Sequence, residues 1–155
     1  MKRIIISLAS VLILLFSLNI NAFATSIPDF KKAIIATENG YYITETITEE
    51  VIISRATNTK TGQKKFEFYN SNDEILWSAT LRGTFTYTGS RATCTASSIT
   101  YEIFDDSWKI TSATASKSGN TATGDVTAKR YALGIPVKTI ERTITLTCSS
   151  SGVLS

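Results

Sequence analysis

The chain contains no histidine. That absence removes Ser-His-Asp and Cys-His nucleophilic machinery, the HExxH motif and every His-ligated metal site. Cysteine is scarce as well: Cys94 and Cys148 are the only two. Two sulfurs without histidine fall short of the four N/S ligands of a structural zinc site, so neither a metal nor a cofactor is expected. Proline occurs twice in 155 residues, which argues against a mucin-like stalk despite the abundance of Ser and Thr. Basic residues are scattered singly or in pairs such as Lys31–Lys32, Lys64–Lys65 and Lys129–Arg130. A nucleic-acid binder concentrates them into a footprint, so no nucleic-acid partner is expected. No glycine-rich loop opens a helix, and a phosphate cradle is therefore unsupported.

What is present begins with one hydrophobic run. Lys2 and Arg3 precede an apolar stretch from Ile4 to Leu18, and Ala22 and Ala24 then flank Phe23. Basic, apolar, then A-x-A is the layout of a secretory signal peptide. The apolar core is shorter than the ~20 residues that span a bilayer. Residues 1–24 are thus read as a signal peptide cleaved between Ala24 and Thr25, and the protein as secreted. No cysteine stands at the cleavage point and no LPxTG-like signal closes the chain. The mature chain also lacks an amphipathic helix suited to a bilayer surface, so no stable membrane insertion of it is expected. Without residues 1–24 the remaining 131 residues carry 14 Lys and Arg against 13 Asp and Glu, a net charge of +1.

Ser26-Ile27-Pro28-Asp29 resembles a helix start, with Ser26 as cap and Pro28 in the first turn. Phe30, Ala33 and Ile34 would form its apolar stripe and Asn39-Gly40 its stop. A short helix near 28–37 is expected within an N-terminal segment 25–40. From residue 41 to 155 the texture is that of a single β domain, rich in Thr, Val, Ile, Tyr and Phe. Strands are expected from Tyr41 toward Ser54, over Lys64–Tyr69, and over Ile75–Tyr87, with Thr57–Gln63 as a loop. In Ile75–Tyr87 the odd positions Ile75, Trp77, Ala79, Leu81, Phe85 and Tyr87 are apolar while the even ones are mostly hydroxylic, a period of two with one wet face. Ala92, Cys94 and Ala96 share one phase and Ile99, Tyr101 and Ile103 the other, which calls for a bulge near Ser97-Ser98. Trp108–Ala115 and Ala122–Tyr131 form a hairpin about Ser118-Gly119-Asn120, and Gly134-Ile135-Pro136 turns into a last strand to Cys148. About eight strands with regular turn signals predict an all-β, antiparallel β-sandwich or partly open barrel.

An even cysteine count in an exported chain favours one disulfide. Cys94 and Cys148 both fall in the inward phase of their segments, so a Cys94–Cys148 bridge closing 54 residues is expected. Carboxylates occur as Glu49-Glu50, Asp73-Glu74 and Asp105-Asp106, yet adjacent strand residues point to opposite faces, and no pair is held across a cleft by spacing. Catalytic residues are not assigned. Asp105 and Asp106, with Trp108 just beyond their turn, are the candidate binding residues. Asp-rich turns more often serve the turn itself, and Trp108 fits either core or rim.

The pieces LW (Leu76, Trp77), GTFTYTGSRATCTASS (Gly83–Ser98), SATASKSGNTATG (Ser112–Gly124), AKRY (Ala128–Tyr131) and TLTCSSSGVLS (Thr145–Ser155) resemble a group of small secreted Ser/Thr-rich β proteins of Gram-positive, clostridial-type bacteria. The resemblance implies compartment and source, and no mechanism. Cys94, Trp108 and Cys148 also approach the Cys…Trp…Cys spacing of immunoglobulin domains, but Leu146 stands where tyrosine belongs; the sandwich is kept and the immunoglobulin identity is not. The expected function is non-enzymatic: a surface, glycan or protein interaction module whose partner is a cell-surface glycan or an extracellular protein. A bacteriocin- or toxin-like factor is the alternative, and a carboxylate-dependent hydrolase a more remote one.

Overall fold

The alternating segment Ile75–Tyr87 lies at the centre of the fold. In the computed structural model, which describes residues 31–38, 40–50 and 58–155, eight strands follow in chain order. They are β1 (Lys31–Glu38), β2 (Tyr41–Glu50), β3 (Thr59–Tyr69), β4 (Ile75–Tyr87), β5 (Ala92–Ile103), β6 (Trp108–Ser118), β7 (Thr121–Ala132) and β8 (Ile135–Thr147). Within each sheet, strands pair antiparallel with their sequence neighbours, β1-β2-β3-β4-β5 in one and β6-β7-β8 in the other. The fold is therefore all-β, with two stacked sheets in a sandwich-like arrangement and no closed barrel. The three-stranded sheet packs against β3, β4 and β5.

The period of two in β4 puts Trp77, Ala79, Leu81 and Phe85 on the inner face, each at 0 % exposure. Ala122, Val126 and Ala128 of β7 and Ile140, Ile144 and Leu146 of β8 meet them from the other sheet. At one end the core is aromatic. Trp77 stacks on Phe66 and Phe68 at 5.2 and 5.5 Å between ring centres, and Trp108 meets Phe68 edge-on at 5.2 Å. Buried side chains of this size contribute roughly 1.5–3 kcal/mol each from area alone. Gly124 of β7 is part of the fit: a Cβ there would lie 2.7 Å from Ile99 Cδ1 and 3.2 Å from Leu81 Cδ1. Beyond β8 the chain folds back, Ser155 pairing with Thr147 through two backbone bonds and Leu154 packing over Gly62.

Three expectations are corrected. The helix near 28–37 is, over its described part, strand β1, paired with β2 from Lys31↔Ile47 to Glu38↔Tyr41; the residues before Lys31 lie outside the described set. Three apolar positions at helical spacing are a weak signal beside a hairpin that pairs the backbone from Lys31 to Glu38 apart from a bulge at Ile35, and Ile34, placed in the helical stripe, faces water at 68 % exposure. The loop expected over Thr57–Gln63 belongs, from Thr59, to β3, where Lys60 pairs with Glu49 at 2.9 Å and Thr61 bonds Thr84 at 3.1 Å. Gly62 opposite Gly83 read as a turn signal but instead admits Leu154. The phase change in β5 comes at Thr95, not at Ser97-Ser98: Phe85 pairs with Cys94 and Thr84 with Ala96, leaving Thr95 as the extra residue.

Candidate functional site

The β7–β8 hairpin departs from the rest of the molecule at its tip. Its body obeys the alternation rule, with Ala122, Val126, Ala128, Ile140, Ile144 and Leu146 buried. From Ala132 to Val137 every residue is exposed, though Leu133, Ile135, Pro136 and Val137 are all apolar. Leu133 is 103 % exposed. The connection is the two-residue loop Leu133-Gly134, with φ of 50° and 80°. A tight hairpin with both central residues at positive φ favours Asn-Gly or Asp-Gly. Leucine in the left-handed region costs on the order of 1 kcal/mol. Among the described residues the only other non-glycine with positive φ is Asp73, a residue type that tolerates it.

Below the tip lies a polar and aromatic collar. Lys129, Arg130 and Lys138 belong to the hairpin itself, and Lys109 pairs with Lys129 across β6–β7. Lys109 Nζ sits 5.2 Å from the centre of the Tyr131 ring, and Lys138 Nζ 4.5 Å from that of Tyr41. Arg130 donates to the Tyr41 hydroxyl at 3.2 Å. The salt bridges among the described residues all lie elsewhere, on β2 and β3. The Tyr131 amide donates to Ser107 O at 2.7 Å, tying the hairpin to the loop between β5 and β6.

That loop carries the residues singled out in the sequence. Asp105 accepts the Ser107 amide at 2.8 Å and its own carbonyl accepts the Trp108 amide at 2.9 Å, so its structural work is to shape the turn. Asp106 is exposed beside it. Trp108 is in the core at 1 % exposure and presents no surface to a ligand; its place after a turn did not make it a rim residue, because β6 enters the sandwich at once. Among the described residues, no group of three metal-ligating side chains converges. Ala22, Ala24 and Thr25 lie outside the described residues.

The expected Cys94–Cys148 disulfide is not formed: both residues are free and buried. Both inward placements hold, since Cys94 is 4 % and Cys148 0 % exposed. Each thiol instead donates to a nearby backbone carbonyl, Cys94 Sγ to Ala96 O at 3.3 Å and Cys148 Sγ to Ser149 O at 3.4 Å. Burial pushes both thiols above their ordinary pKa of 9.0. They act as small core hydrophobes.

A second feature is a shallow depression of about 350 Å³ across the outer face of β6–β8, lined by Ser112, Asp125, Thr127, Glu141, Arg142 and Thr143. Thr143 Oγ1 donates to Asp125 at 2.6 Å. The depression offers hydroxyls and carboxylates to a polar ligand. Asp125 and Glu141 are both exposed. On the outer face of the larger sheet, Tyr42 stacks on Tyr69 at 4.6 Å. Its phenol is pushed up to about 12 by desolvation and by its hydrogen bond to Asp73.

In the sequence, Gly134-Ile135-Pro136 reads only as a turn. The legible signal was the run Ala132-Leu133-Gly134-Ile135-Pro136-Val137: an apolar turn where a polar one is the rule. No family model, curated protein or solved structure matches the chain.

Proposed function

We propose that the protein is a secreted, non-enzymatic interaction module that engages its target through the tip of the β7–β8 hairpin. The basic-apolar-A-x-A order of residues 2–24 supports export. The carrying observation is Leu133 with Ile135 and Val137, fully or largely exposed on a projecting turn. A soluble monomer gains nothing from a leucine held in left-handed backbone and bare of contacts. Clustered exposed apolar side chains of this kind mark interaction sites, and backbone strain collects where function requires it. The fold supplies a rigid support, since the hairpin body is clamped in the core.

The test is retention of fluorescently labelled exported protein on intact bacterial and animal cells, comparing wild type with the double variant Leu133→Asn/Ile135→Ser. An Asn-Gly pair suits the turn, so the variant keeps the fold. Wild type is retained on one of these surfaces and the variant is washed away. Equal retention of the two, or none of either, overturns the reading.

A further inference from the structure

The tip and its collar have the layout of a shallow membrane anchor. We infer that the β7–β8 hairpin docks on anionic lipid bilayers, with Leu133, Ile135 and Val137 entering the interface and Lys109, Lys129, Arg130 and Lys138 resting on the headgroups. This rests on the proposal that the tip is the interaction site, and it names the partner.

Three observations carry it. The first is reach. Leu133 lies two residues beyond Tyr131, the last β7 residue tied to the body by a backbone bond outside the hairpin. At ~3.3 Å per residue it projects about 7 Å, comparable with the ~5–10 Å to which interfacial apolar faces sink. The second is charge. From Val126 to Ile140 the chain has three cations and no anion, and Lys109 adds a fourth from β6. None of the four is in an ion pair with a described residue. Carboxylates at this end include Glu38, paired with Tyr41 across β1–β2, Glu102 near the end of β5, Asp105 and Asp106 on the β5–β6 loop, and Asp73 and Glu74 on the β3–β4 turn. Asp73 accepts the Tyr42 hydroxyl and Glu74 the Asn70 amide. Each basic side chain near an anionic surface contributes about 1 kcal/mol. The third is the aromatic level: Tyr41 and Tyr131 sit among the cations, where tyrosine settles at membrane–water interfaces. A protein groove would fit the apolar tip equally well, but would not by itself call for four basic side chains around it with no ion pair to a described residue.

The mode differs from what the sequence excluded. A span and an amphipathic helix are both absent among the described residues, and a hairpin tip needs neither. Docking of this kind is reversible and weakens with salt.

The experiment is co-sedimentation of the exported protein with vesicles of phosphatidylcholine alone and of phosphatidylcholine with phosphatidylglycerol. Wild type sediments with the anionic vesicles and is released by raised salt. Leu133→Asn/Ile135→Ser lowers the partition at least about tenfold, and Lys129→Gln lowers it about fivefold. Unchanged melting curves separate these losses from unfolding. Absence of wild-type binding to anionic vesicles, or binding that the double variant leaves intact, overturns the inference. If vesicle binding fails while tip-dependent retention on cells persists, the partner is a protein or glycan and only the lipid assignment falls. If both fail, the interaction reading falls with it.

Discussion

The two ends of one hairpin follow opposite rules. In the body of β7–β8 each apolar side chain has a partner: Ala122, Val126, Ala128, Ile144 and Leu146 face the larger sheet, and Gly124 is small because Ile99 and Leu81 occupy the space a side chain would take. At the tip, a few residues along the same two strands, Leu133, Ile135 and Val137 have water. Composition does not separate the two ends. What separates them is whether a second sheet stands opposite. The five-stranded sheet covers the hairpin as far as the β5–β6 loop, and the chain simply continues beyond it. Apolar residues inside the sandwich are accounted for by folding, whereas those outside require another explanation.

The largest effect should come from the covered side. Trp77→Ala removes the ring that Phe66, Phe68 and Trp108 pack against, and it should destabilise by about 3–5 kcal/mol. Denaturant melts measure this. An unshifted midpoint would mean that the inner face of β4 is misassigned and the contrast between the two ends dissolves. A smaller loss, about 1–3 kcal/mol from overpacking, is expected for Gly124→Val, which drives a side chain into Ile99 and Leu81. A neutral Gly124→Val would place the hairpin body farther from β4 and β5 than those contacts allow.

The buried thiols test the same packing without a mutation. Two free thiols should be titrated in denaturant without reductant, and neither should react at an appreciable rate in the folded protein. Because burial raises both thiol pKa values above 9.0, the folded state holds those protons more tightly than the unfolded chain. The associated stability is fully present below about pH 9 and declines as pH climbs above it. A midpoint that instead rises with pH in that window would contradict the burial. Least of all should change at the tip: Leu133→Asn and Ile135→Ser should each shift stability by no more than about 0.5 kcal/mol, with Leu133→Asn the more favourable because it suits positive φ. A loss well above about 1 kcal/mol from either would show that the tip packs on something, and the contrast would have to be redrawn.

Much of the fold was readable from local pattern. β4 was legible because one wet face and one dry face leave an alternation that nothing else produces, and β8 likewise, with Ile140, Ile144, Leu146 and Cys148 turned inward as their spacing implied. The turn at Gly119 was marked by Ser118-Gly119-Asn120. Where the reading failed, the residues in question answered to distant partners. Lys60 and Gly62 look like loop residues until Glu49, Gly83 and Leu154 are brought against them. The described part of the segment 28–37 reads as a helix until β2 offers it a ladder. Cys94 and Cys148 had the inward phase a bridge requires, but phase says nothing about where a thiol points.

The candidate site shows the same division. Asp105, Asp106 and Trp108 stand out as types of residue, and tertiary placement makes Asp105 a turn cap and Trp108 a core ring. The apolar run at 132–137 was in plain view, yet whether it was covered depended on the length of a neighbouring sheet.

By itself, the sequence of this protein determined the all-β class, the inward faces of its best strands and most of its turns, because alternation and turn chemistry act between residues close in the chain. Only the tertiary structure decided which strands share a sheet, that the two thiols stay apart from one another, and that Leu133, Ile135 and Val137 stand in water, because burial belongs to the pairing of surfaces far apart in sequence.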